Sequence, residues 1–326
     1  MPRASRAAAL ATMVVLVTAA PACAGTAQAG TAPAPTHVTG SATHAPPGHA
    51  HRSKRLVRDP SGKLVHALGK GHVRRTSGQS GGPAPVAASG TSAPGNGCTF
   101  QTPGYTAHYC HAGAYQSPFD AGDYYTVGAH VLADVDAPTV ASSDYHSLWE
   151  LAVEDFSQKQ IIEVGWRVYG PSGPDPQLFV NYWKDGVSAG YGNGFVSTTS
   201  LIGPGMYLPT GTTKQFGIEY YQGNWWVYYD TTWFGYFPGT IWGGWGSNDL
   251  TQTFGEVSAG ELYPCTDMGS GVLPGYSGAA HVSNFGWYGP GPAVNLQPGT
   301  IEDPLLYDAW VDYTGTGFTY GGPGDC

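Results

Sequence analysis

Charged residues are few in this chain. Its 326 residues include only 14 Lys or Arg and 23 Asp or Glu. From Cys98 onward the basic side chains shrink to four (Lys159, Arg167, Lys184 and Lys214) against 22 acids. A surface of that sign repels phosphate backbones, which argues against a nucleic-acid partner. It tolerates acid, where carboxylates protonate and self-repulsion falls. Helix-forming heptads are missing, which excludes a coiled coil or helical bundle. After Ala20 no apolar run approaches the roughly 20 residues that a membrane-spanning helix needs. There is no HExxH run and no Cys-x-x-Cys pair, so neither a zinc-protease helix nor a dithiol redox site is expected. Gly269-Ser270-Gly271 and Tyr276-Ser277-Gly278 read as turns rather than nucleophile elbows. The expectation is an enzyme or binding protein with no metal and no cofactor.

Turn formers and aromatic rings are abundant instead. The chain has 49 Gly, 26 Pro, 10 Trp, 21 Tyr and 11 Phe. Aromatic and β-branched residues pack well on pleated strands, and Gly and Pro turn the chain between them. Short alternating runs recur, among them 124–135, 147–153, 160–169, 177–182, 215–221, 224–229, 251–258 and 279–287. Asp185-Gly186, Gly192-Asn193-Gly194 and Gln222-Gly223 supply hairpin turns. The predicted fold is all-β: an antiparallel β-sandwich of two packed sheets, jelly-roll-like.

Three segments differ in composition. Residues 1–29 read as a signal peptide: Arg3 and Arg6, then an apolar run from Ala7 to Ala20, then small residues. Residues 30–97 are a flexible basic prosegment and linker, rich in Pro, Gly and Ala, with a basic stretch from Arg52 to Arg75 that either trails in solvent or docks on the acidic domain. The linker from Gly81 to Gly95 is exposed by composition and bears prolines. Residues 98–326 form one domain. Four cysteines remain after export, so two disulfides are expected, with sequence neighbours favouring Cys98–Cys110 and Cys265–Cys326. His108 and His111, beside Cys110, read as surface residues. The product is a secreted, extracellular monomer with no membrane attachment.

Glutamates are the residues to weigh for chemistry. In Ile161-Ile162-Glu163-Val164-Gly165-Trp166-Arg167-Val168, alternation puts Ile162, Val164, Trp166 and Val168 on the core face and Glu163 opposite with Gly165 and Arg167. In Thr253-Phe254-Gly255-Glu256-Val257-Ser258, Glu256 shares a face with Phe254 and Ser258. Glu is depleted in strands and Gly weakens them, and close approach of a ligand would account for both. Pattern alone also allows plain solvent-facing glutamates, and Glu219 has a similar setting. Tyr182, Trp183, Trp225 and Trp226 are candidate walls of an aromatic groove for substrate.

These landmarks resemble the neprosin family of glutamic prolyl endopeptidases, known from plants and from secreted bacterial proteins. The series is Ile162-Glu163-Val164-Gly165-Trp166, Leu178-Phe179 with Tyr182-Trp183, Tyr191 to Val196, Gly223-Asn224-Trp225-Trp226, Gly235-Tyr236-Phe237-Pro238, Phe254-Gly255-Glu256-Val257 and Asp267 to Gly271. The resemblance implies a β-sandwich peptidase made as a zymogen and cleaving after proline in acid. It places the catalytic glutamates at Glu163 and Glu256. When two carboxyls share a site one stays protonated beside its ionised partner, and either order of roles is open, with Glu163 favoured as base. It also implies proline-containing peptides as partners; the chain's own prosegment, with its proline-bearing linker, is a further candidate read from composition and not from the family. Two departures stand out: Gly192-Asn193-Gly194 occupies the place of a plant cysteine pair, and the segment before Cys98 is unlike the plant activation domain. A jelly-roll glycoside hydrolase or a carbohydrate-binding module would also use paired glutamates and aromatic walls.

Overall fold

A computed structural model describes residues 55–68, 95–101, 106–121, 124–170 and 173–326. The expected signal peptide and most of the expected linker lie outside these residues. Seventeen strands appear among them. A short hairpin comes first, β1 (Leu56–Arg58) and β2 (Leu64–His66). Then follow β3 (His108–Gln116), β4 (Gly128–Val135), β5 (His146–Glu154), β6 (Ile161–Tyr169), β7 (Gln177–Lys184), β8 (Val187–Ser188) and β9 (Val196–Ser197). The remainder are β10 (Thr212–Tyr221), β11 (Asn224–Tyr229), β12 (Thr232–Pro238), β13 (Leu250–Ala259), β14 (Ala280–Tyr288), β15 (Gln297–Pro298), β16 (Asp308–Val311) and β17 (Phe318–Gly321). Among the described residues only two short 3-10 turns, Pro118–Ala121 and Gly239–Trp242, depart from strand or loop.

The strands form two large antiparallel sheets, as the alternating pattern predicted. One has eight strands in the order β16-β17-β14-β4-β10-β11-β12-β9, the other seven in the order β15-β3-β13-β5-β6-β7-β8. Between them lies one core. Trp149, Leu151 and Val153 of β5, with Ile162, Val164, Trp166 and Val168 of β6, meet Val131 and Ala133 of β4, Phe216 and Ile218 of β10 and Trp225 and Val227 of β11. The Trp149 and Phe216 rings lie 4.9 Å apart. The Trp166 indole donates to the Asp134 carbonyl at 2.8 Å, which satisfies its polar edge inside an apolar layer.

Turn chemistry sets the hairpins. Asp185 and Gly186 both have positive φ (54° and 76°), as do Gln222 and Gly223 (48° and 77°), the geometry of tight two-residue turns that match strand twist. Disulfides join Cys98 to Cys110 and Cys265 to Cys326. The first ties the chain entering β3 to that strand; the second holds the C-terminus.

Of residues 30–97, expected from sequence to be a prosegment and linker, the β1–β2 hairpin is the part with regular structure among the described residues. It packs on the outer face of the eight-stranded sheet, where Val57 and Ala67 cover Val196, Trp226 and Tyr236. The Leu68 N–H donates to the Ser197 carbonyl at 2.9 Å, beside the edge strand β9. Its contact is therefore mostly apolar, where the sequence suggested charge.

Candidate active site

Five neighbouring strands of the seven-stranded sheet build one polar patch on the face turned away from the core. Cross-strand register arranges the side chains in rows. His111, Glu256, Leu148, Arg167 and Gln177 stand across β3, β13, β5, β6 and β7. Two residues along, the row reads Gly113, Phe254, Glu150, Gly165 and Phe179. The next reads Tyr115, Gln252, Ala152, Glu163 and Asn181. Glu256 and Glu163 thus share a face but sit two strands and two rows apart. Glu150 occupies the midpoint of the diagonal that joins them.

Glu256 is held by two histidines. Its Oε1 accepts from Nε2 of His146 at 2.8 Å and its Oε2 from Nε2 of His111 at 3.2 Å. Behind His111 stands Glu302, which accepts from both the His111 backbone N–H and Nδ1, the latter at 3.0 Å. With both ring nitrogens facing carboxylates, His111 is an imidazolium. Burial alone would lower its pKa, but the Glu302 charge and the hydrogen bonds of both glutamates raise it to about 10. Burial likewise opposes the ionised form of Glu256. The hydrogen bonds and charges of His111 and His146 overcome it and bring the carboxyl down to about 2.

Glu163 sits in the opposite state. Its Oε2 accepts from the Asn181 amide at 2.9 Å and its Oε1 from the Trp183 indole N–H. Burial outweighs those two bonds, and the Glu256 charge adds to it, so the pKa rises to about 8. Glu150, 2% exposed, is pushed well above the usual carboxyl range by burial and then by Glu163, Glu256 and Glu154. Its Oε1 makes no hydrogen bond. One Glu is therefore charged and two are neutral through the mildly acid range.

Tyr191, from the loop after β8, reaches into the same patch. Its buried hydroxyl makes no hydrogen bond. Burial raises its pKa, with Glu256, Glu163 and Glu150 adding to the rise and Arg167 opposing it. The Arg167 guanidinium stacks on the rings of Tyr191 and Tyr169, at 3.3 and 3.9 Å from their centroids. Arg167 pairs with those rings and not with Glu163. Among the described residues no group of three or more His, Cys, Asp or Glu is disposed to hold a metal ion.

Other sequence expectations are redistributed. Of the four candidate wall residues, only Trp183 lies on the Glu163 face. Tyr182 packs against the inter-sheet core, and Trp225 is inside it. Trp226 faces outward on the other sheet, under the β1–β2 hairpin. Alternation sends neighbours to opposite faces, and the Trp225–Trp226 pair belongs to the sheet that bears no glutamate of this patch. His111 is not a surface residue: it is fully buried on β3. Proximity to Cys110 suggested a turn, whereas the disulfide reaches into a nine-residue strand. The glycines answer to packing rather than to a ligand. A Cβ on Gly165 would fall 1.9 Å from the Trp149 carbonyl oxygen, and one on Gly255 would meet Tyr320 and Met268 in the core. Glu150, His146 and Glu302 were not singled out from sequence.

Among solved structures, scytalido-glutamic peptidase with a peptide-based transition-state analogue is similar at 13% identity over 67% of this chain and 99% of that one, with a TM-score of 0.43. SCP-B, of the eqolisin family of peptidases, in complex with the tripeptide Ala-Ile-His, gives 12% identity, the same coverage and a TM-score of 0.39. The homodimeric agglutinin CG-16 from chicken liver gives 11% identity over 45% of this chain and 95% of that one, with a TM-score of 0.28. The profile of the Neprosin family matches residues 143–323, a span that includes Glu150, Glu163 and Glu256. With more than half of its length in that match, the chain belongs to the Neprosin family and is a peptidase of the glutamic type.

Proposed function

We propose that this chain is a secreted, acid-active endopeptidase that cleaves after proline, with Glu256 and Glu163 as its catalytic pair. The observation that carries the reading is the contrast between two buried carboxyls on one sheet face: Glu256 is clamped by His111 and His146, while Glu163 is bonded only to the neutral donors Asn181 and Trp183. Glu256, clamped by two histidines, is the base; Glu163, buried and neutral, is the acid. This reverses the roles favoured from sequence, because the histidines of the Glu256 clamp lie far from it along the chain.

In the reaction, the Glu256 carboxylate takes a proton from water as the water oxygen attacks the scissile carbonyl carbon. The Glu163 carboxyl donates a hydrogen bond to the carbonyl oxygen as negative charge develops there, then passes its proton to the leaving nitrogen. At the end Glu256 is protonated and Glu163 ionised, so the pair must be reset. Trp183, buried against Ile161 and Phe254 and tied through its indole N–H to Glu163, fixes the acid beside which a rigid pyrrolidine would bind at small entropic cost. Two disulfides fit an oxidising, extracellular setting.

The test is a proline-scanning peptide library at about pH 3–5, where the two charge states coexist, run on wild type, Glu163→Gln and Glu256→Gln. Cleavage after proline that falls at least a hundredfold in both variants is expected. Turnover by either variant at the wild-type rate, or release of reducing sugar in place of peptides, would refute the assignment.

A further inference from the structure

The reaction leaves a proton on Glu256 and none on Glu163, and the two are not neighbours. Each is a diagonal cross-strand neighbour of Glu150, a step of roughly 7–8 Å between backbones. Long side chains span such a step from both ends toward its middle. Glu150 therefore stands where the route between them must pass, on the intervening strand β5. Its flanks in the row are Phe254 and Gly165, neither of which offers a polar group. The side chain is 2% exposed and its Oε1 has no partner. A buried carboxyl oxygen with nothing to bond carries a desolvation cost that no contact offsets, which a role in the reaction would explain.

We propose that Glu150 is the proton relay that resets the site after each turnover. The proposal rests on the assignment of Glu256 as base and Glu163 as acid. In the reset, the proton on Glu256 passes to one oxygen of Glu150 as the proton on its other oxygen passes to Glu163. Glu150 is neutral before and after; Glu256 regains its charge and Glu163 its proton. No co-reactant is consumed. A neutral carboxyl is suited to this because it can donate and accept at once, and burial keeps Glu150 neutral beside two other acids. Other titratable or charged groups facing it are Glu154 and His146 on its own strand, His111 from β3, Arg167 from β6 and Tyr191 from the loop above. Of these, the Tyr191 hydroxyl is the rival path, since it too is unpartnered and within electrostatic reach of all three glutamates.

Rapid-quench kinetics on a proline peptide at about pH 4 separate reset from chemistry. Glu150→Gln keeps the shape of the neutral acid but cannot trade one proton for another in this way. Its first turnover should stay within about threefold of wild type while steady-state kcat falls at least tenfold, giving a product burst equal to the enzyme concentration. Tyr191→Phe should show no burst. Equal loss in both phases, no loss in either, or a burst in Tyr191→Phe alone would overturn the relay. Glu163→Gln and Glu256→Gln, measured alongside, should each lose at least a hundredfold already in the first turnover; if either does not, the catalytic pair and not the relay has failed, so the two failures are told apart. Should Glu150→Gln not fold, wild type in mixed H2O and D2O gives the same decision. A bowed dependence of kcat on deuterium fraction, with a linear first turnover, supports two protons moving in the reset; identical curves for both phases overturn it.

Discussion

Glu256 is ionised because His111 and His146 donate to it, and His111 is charged because Glu302 and Glu256 stand at its two ring nitrogens. The chain of dependence makes a residue-scale prediction. His111→Gln retains a donor but removes the cation, so the Glu256 pKa should climb from about 2 toward the ordinary carboxyl value. A base must be ionised to work, so the acid limb of the pH–rate profile should move up by two units or more. Activity at pH 3 should fall at least tenfold and at pH 6 much less. An acid limb that stays in place would show that His111 does not set the charge of the base. Sequence made this cluster partly readable. Alternation in β5 sends Ser147, Trp149, Leu151 and Val153 one way and His146, Glu150 and Glu154 the other, so the acid face could be found from that run. His111 and Glu302 could not, because they lie 191 positions apart and meet only through the β3 strand that the Cys98–Cys110 loop concealed.

At the scale of the element, β6 illustrates how one glycine shapes a strand. Gly165 faces the site, yet the reason for its missing side chain is the backbone of β5, 1.9 Å from where a Cβ would be. Gly165→Ala must push two central strands apart, and overpacking of this kind costs about 3 kcal/mol. Gly255→Ala on β13 would instead meet the ends of Met268 and Tyr320, and a thioether can rotate away. Urea midpoints should therefore fall further for Gly165→Ala than for Gly255→Ala; the reverse order would mean that β5 and β6 are not in this close approach. The β1–β2 hairpin is a second such element. Val57→Asp places a charge against Trp226 and Tyr236, and limited proteolysis should then cut within residues 55–68 while the wild-type hairpin resists. Strands with strict alternation were evident from sequence. The hairpin was not, since a basic stretch with three-residue strands carries too little pattern to distinguish a docked ribbon from a solvated tail.

For the whole molecule, the buried acids make stability a function of pH. Glu154 and Glu163 titrate near 8 when folded, against 4.5 for the free group, with burial the main cause in each. Between those values the unfolded chain has released protons that the folded chain keeps, so stability falls as pH rises from about 4.5 to about 8. His111 acts in the same direction from 6.5 to about 10. Glu256 acts oppositely: its contribution is full above 4.5 and is lost as pH falls through about 2. The most stable condition should therefore lie near pH 4, with a loss at pH 8 of a few kcal/mol, roughly 10 °C in Tm for a domain of this size. Scanning calorimetry at pH 2, 4, 6 and 8 would measure it. Glu154 isolates the cause, because it is buried outside the Glu256–Glu163 diagonal and bonded to Gln252 and Gln158 at 2.7 and 3.2 Å. Glu154→Gln is neutral in both folded and unfolded chains, so it removes one titration without emptying the site. The variant should match wild type at pH 4 and exceed it at pH 8. If the two curves stay parallel from pH 4 to pH 8, Glu154 keeps no extra proton in the fold, and the acid preference must come from the net charge of the surface.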